Sequence, residues 1–164
     1  MVGVSLMKKT VAAIVVMLMG GGLYVSARST SLTMFRWFDR AGLRDEVEIL
    51  RAVAAPHLGA LPRWMFFSLP QALWFFSGLL AFQCVWVHGG RNERQRWAWI
   101  LTFSCAGFGM EVGQLFGILP GRFDPLDLVL LIVAWGLAMA IGSVERIKAI
   151  HSTYGSEVQR CSGT

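Results

Sequence analysis

The stretch WAWILTFSCAGFGMEVGQLFGILPGRFDPLDLVLLIVAWGLAMAIGSV, residues 97–144, decides how the chain is read. It holds two apolar blocks, 97–119 and 126–144, joined by the short turn PGRFDPLD. About 20 mostly apolar residues cross a bilayer as a helix, so each block has the length of one span. A turn this short makes the two helices adjacent and antiparallel. Working outward, WMFFSLPQALWFFSGLLAFQCVWV (64–87) and TVAAIVVMLMGGGLYVSA (10–27) have the same character. The 164 residues are 55% hydrophobic, with a mean hydropathy of +0.54. That leaves room for about four spans and for no sizeable soluble domain. The expected architecture is all-α: a single integral membrane bundle of about four transmembrane helices, with an amphipathic interfacial helix after the first.

The flanks set the expected topology. Lys8 and Lys9 precede the first block, and HGGRNERQR (88–96) is a short loop rich in arginine. Short basic loops stay cytoplasmic, so both termini and the 145–164 tail are expected inside. The first block could be a signal peptide ending near Val25-Ser26-Ala27. Its length and the three blocks after it favour an uncleaved anchor. The polar region 28–63 then lies outside. Within it LRDEVEILRAV (43–53) spaces Leu43, Val47, Leu50 and Val53 helically, opposite Arg44, Asp45, Glu48 and Arg51, as in a helix lying on a membrane surface. In the second block, Ser68-Leu69-Pro70-Gln71 reads as a capping box that starts the main helix near Leu69. The tail beyond Glu145 is expected to fray within one or two turns.

The net charge of +5 sits beside the apolar blocks, as topology signal and headgroup contact. Basic residues interleaved with aromatics in a soluble context are missing, so no nucleic-acid partner is expected. Cys84, Cys105 and Cys161 have no metal spacing, and His57, His88 and His151 stand apart at loops or span ends. No nucleotide, P-loop or hydrolase fingerprint is present, so no cofactor, metal or catalytic residue is assigned.

Small residues repeat every fourth position at Gly109, Gly113 and Gly117, and at Ala134, Ala138 and Gly142. Such stripes let helices approach closely. They predict packing between the last two helices, or of either against the second. Glu111 and Gln114 share one helical face. A carboxylate near mid-membrane costs about 2.5–3.5 kcal/mol, so Glu111 should face the bundle interior and be partnered or protonated. Gln114 can donate to it from the same helix. With Arg122, Arg63 and Asp127 these residues make a candidate polar pocket opening outward, suited to a lipid headgroup, a phosphate, an ion or a carboxylate. The alternative is that Glu111 and Gln114 join helices by hydrogen bonding, with Arg122 at the headgroup level. Asp124 has the position of an N-cap, with Pro125 at the first helical position and Asp127 favoured by the helix dipole.

Glu111-x-x-Gln114, Pro-Gly-Arg122, Asp124 and Asp127 opening a Gly-rich apolar helix together resemble the C-terminal half of the VanZ-like membrane family, over about residues 105–142. That family comprises small bacterial proteins of several spans linked to the cell envelope. The chain departs from its pattern at Leu131, where Asn is usual, and in LPRWMFFSLPQALW, which lacks the usual Asp-Lys and His. The resemblance implies an envelope-associated protein in which Glu111, Gln114, Arg122 and Asp127 form one polar cluster. Two other functions remain open: a small structural subunit docking a larger membrane protein through its glycine-rich faces, and a membrane-embedded enzyme using Glu111 as acid or base.

Overall fold

The computed structural model describes residues 2–87 and 92–161, with side chains over 7–85 and 92–144. The basic loop expected at 88–96 therefore lies partly outside the described residues. The described chain is all helical: α1 (Val2–Ala27), α2 (Thr33–Arg40), α3 (Arg44–Leu58), α4 (Trp64–Phe67), α5 (Leu69–Val87), α6 (Glu93–Leu115) and α7 (Pro125–Cys161).

Among the described residues, two helices are long and apolar enough to cross a membrane, Met7–Ala27 within α1 and Pro125–Val144 within α7. This is fewer than the four expected. The apolar run of α5, Leu69–Val85, is shorter. α6 opens on Glu93, Arg94 and Arg96 and carries Glu111 and Gln114, which lower its mean hydropathy. Only 22% of each qualifying window is buried. A core helix of a water-soluble domain would be largely covered instead. Apolar side chains such as Val15, Leu18, Leu101, Ile132 and Leu137 face outward, while Gln83, Ser104 and Glu111 are buried. Large apolar side chains are therefore exposed around a core that is itself mostly apolar.

α5 is the centre of the bundle and packs against α1, α6 and α7. Ala72, Phe75 and Leu79 of α5 meet Ile100 of α6 and Leu131, Ala134 and Ala138 of α7 in one buried cluster. The α7 stripe thus packs on α5. There Gln83 donates to the Ala138 carbonyl at 2.7 Å, and a Cβ on Gly142 would collide with the Gln83 amide. On the other side of α5, a Cβ on Gly20 of α1 would lie 2.9 Å from the Trp74 indole, whose N–H donates to the Met17 carbonyl at 3.1 Å.

The α6 stripe behaves otherwise. A Cβ on Gly109 or Gly117 would meet nothing, and one on Gly113 would meet Leu119 of the following turn. The close approach of α5 and α6 uses Gly78, set under the Phe103 ring at 2.5 Å from an added Cβ, and Gly107, set under Phe75 at 2.6 Å. Phe75 and Phe103 stack at 5.5 Å between centroids. Gly117 instead ends α6. Its φ of 67° permits the Schellman closure in which Ile118 N–H reaches the Gly113 carbonyl and Gly117 N–H the Gln114 carbonyl. The helix consequently stops at Leu115, short of the expected 119.

Three further expectations change. Ser68 is helical (φ −102°, ψ −43°), as the C-cap of α4, and does not have the extended backbone of a capping-box N-cap. The break between α4 and α5 matches Pro70, which lacks an N–H and crowds the Phe66 carbonyl. The 28–63 region forms two helices, α2 and α3, and Leu43, Leu50 and Val53 remain exposed. What ties α3 to the bundle is Arg51, whose Nη1 donates to the Val25 and Arg28 carbonyls at the end of α1, at 2.6 and 2.7 Å. Finally, α7 does not fray after 145 but continues to Cys161.

Candidate functional site

One end of the bundle collects α4, the start of α5, the end of α1 and the turn between α6 and α7. The local sequence makes that turn. Gly117 closes α6, Gly121 takes φ 139°, and Asp124 Oδ1 accepts from Leu126 N–H at 2.9 Å as the N-cap of α7. The result brings Gln114, Arg122, Asp124 and Asp127 to one side of a cavity of about 740 Å³. Arg28, Arg63, Phe67, Ser68 and Gln71 line the other side.

Glu111 lies behind this lining and is 1% exposed. Its partner is Gln71 of α5, whose Nε2 donates to Glu111 Oε1 at 2.7 Å. The expected donor, Gln114, instead packs its amide against Gly121, where an added Cβ would lie 2.7 Å from Nε2. Asp127 and Asp124 stand close enough to act electrostatically on Glu111. All five candidate residues, Arg63, Glu111, Gln114, Arg122 and Asp127, therefore belong to one end of the bundle and, directly or through Gln71, to one cavity.

Two of the three guanidinium groups lie near aromatic rings. Arg28 lies over the rings of Tyr24 and Phe67, at 5.2 and 4.8 Å from their centroids, and its Nη2 donates to the Phe67 carbonyl at 3.3 Å. Arg63 lies over Phe67 at 5.8 Å. At these distances the ring quadrupole attracts the cation. Among the described residues, none of Arg28, Arg63 and Arg122 forms an ion pair; such pairs join Arg44 to Glu48 and Arg96 to Glu93.

Among the described residues, three buried side-chain atoms have no hydrogen-bond partner: Arg28 Nε, Glu111 Oε2 and Asp127 Oδ1. All three belong to this end of the bundle. Buried polar groups are ordinarily paired, and each exception calls for a cause. Chemically, the arrangement offers planar cationic donors around the cavity and carboxylate acceptors against its wall.

Sequence reasoning missed Arg28 and Gln71. Arg28 carried a signal, being the first cation after an apolar block. Gln71 also did, as the one amide in the first turns of a 19-residue apolar helix, but the capping-box reading absorbed it. Comparison with protein-family models, with curated proteins and with solved structures finds no match.

Proposed function

We propose that the chain is a four-span protein of the bacterial inner membrane, with both termini cytoplasmic, whose arginine-lined cavity opens outward and holds an anionic group of a lipid or of another envelope component. The observation that carries this reading is the convergence of Arg28, Arg63 and Arg122, none ion-paired among the described residues, on one cavity. Guanidinium groups match phosphate and carboxylate oxygens in pairs. α5 and α6 serve as the second and third spans. This is supported by the 19 residues of α5, about 28 Å at 1.5 Å per residue, and by the apolar run of α6 beyond Arg96. Retention of α1 is supported by its packing along α5 and the Arg51 bonds at its end. The Glu111-x-x-Gln114, Arg122 and Asp127 pattern keeps the VanZ-like family as the proposed kinship.

The docking-subunit alternative requires Glu111 to face lipid in the single chain, unpaired. Its burial and its bond to Gln71 favour the pocket. The test is native mass spectrometry of the protein in nanodiscs, wild type beside Glu111→Ala and Arg122→Ala. The pocket reading expects a retained anionic molecule that both variants lose. Loss of an oligomer or of a co-purified protein, with no difference in small molecules, would establish the docking role instead. In a cysteine-free background, a membrane-impermeant maleimide should label Ser31→Cys in intact cells and spare Ser152→Cys; the reverse pattern would overturn the orientation.

A further inference from the structure

The cavity has two chemistries, and the anion reading uses only one. Arginines account for a negative charge. They do not account for Glu111 Oε2 and Asp127 Oδ1, which are buried acceptors without donors. Glu111 lies behind the lining, 1% exposed, and only its other oxygen is satisfied, by Gln71. Asp127 is itself part of the cavity wall, and so is Arg28, which holds the orphaned donor Nε. A simple anion would satisfy the donor side and bring further negative charge towards two carboxylates. A group that carries its own donor beside the anion relieves both.

Resting on the anion reading above, we infer that the cavity takes a phosphate ester bearing a hydroxyl or ammonium donor a few atoms from the phosphorus. The phosphate oxygens meet Arg28, Arg63 and Arg122, and the donor reaches Asp127, whose unpaired Oδ1 stands in the cavity wall. A ligand that supplies the donor pairs an acceptor that otherwise stays unpaired, so selection rests on the Asp127 carboxylate while attraction rests on the arginines.

Two lipids of equal charge separate these contributions: phosphatidylglycerol, which has hydroxyl donors, and phosphatidylmethanol, which has none. Each is doped into phosphatidylcholine nanodiscs carrying the full chain, and occupancy is titrated by native mass spectrometry. The inference expects wild type to prefer phosphatidylglycerol by about tenfold. It expects Asp127→Ala to reduce that preference to about threefold or less without weakening phosphatidylmethanol. Equal binding of the two lipids by wild type overturns the donor inference and leaves the anion reading intact. Binding of neither above the phosphatidylcholine background, or binding unchanged in Arg28→Gln with Arg122→Gln, overturns the anion reading and this inference with it. Should a carboxylate variant fail to fold, the wild-type comparison decides alone. Competition by soluble glycerol 1-phosphate assigns the site to free phosphate esters; a persistent preference without competition assigns it to lipid.

Discussion

Gln83 and Glu111 are both polar side chains buried between helices, and their surroundings differ. Gln83, on α5, donates to the Ala138 carbonyl and fills the space over Gly142, next to close-packed apolar side chains. Glu111, on α6, has one oxygen bonded to Gln71 and the other unpartnered, beside a large cavity whose wall carries three arginines. The first arrangement does one thing, which is to hold α5 to α7. The second holds α5 to α6 and leaves hydrogen-bonding capacity unused. Burial of a polar group among apolar helices therefore does not by itself mark a binding site. On the proposed reading, an unused atom beside an open cavity distinguishes a site from a joint.

The comparison can be broken first at the packing between α5 and α6, where the largest effect is expected. Gly78→Val combined with Gly107→Val forces the Phe103 and Phe75 rings apart. Each change should cost about 1–3 kcal/mol of stability, measured by unfolding in mixed detergent micelles. If the pair is tolerated, the glycine–phenylalanine contacts are not what sets the helix spacing. Next comes Gln71→Leu, which removes the Gln71 donor to Glu111. Stability should fall by about 1–3 kcal/mol, and retention of the bound anion should fall with it. A variant that lost stability alone would move Glu111 to the same class as Gln83. Gln83→Leu should cost about 1 kcal/mol and leave ligand retention untouched. The smallest effect is expected at Arg44→Gln. The Glu48 carboxylate beside it raises the Arg44 pKa above its ordinary value, but both side chains are well exposed. No measurable change in melting temperature should follow.

How much of this the sequence made legible depends on how local each feature is. The first and last apolar segments and the start of α7 at Asp124 and Pro125 come from neighbouring residues and are found where expected, while α5 and α6 fall short of the expected spans. The grouping of Glu111, Gln114, Arg122 and Asp127 also follows from one helix and its turn. The glycine stripe on α6 misled because spacing identifies a face without identifying what lies opposite. Gly117 was needed to end the helix, and the contacts with α5 depended on the register that sets Gly107 against Phe75. Gln71 and Glu111 are 40 residues apart, and Arg28 reaches the cavity from α1. Neither placement can be derived from local periodicity. The ambiguity at Ser68 was of another kind. Pro70 breaks the helix whether or not Ser68 caps it, so two local explanations fitted one pattern and only the backbone angles separate them.

The most direct test of the central claim, that the arginine end is a binding site and the Gln83 contact a joint, places Arg122→Gln and Gln83→Leu beside wild type in one native mass spectrometry experiment with collision-induced unfolding. The account predicts that Arg122→Gln loses the bound anion and unfolds at the wild-type energy, while Gln83→Leu keeps the anion and unfolds at lower energy. Retention of the anion by Arg122→Gln, or its loss from Gln83→Leu, would contradict the account.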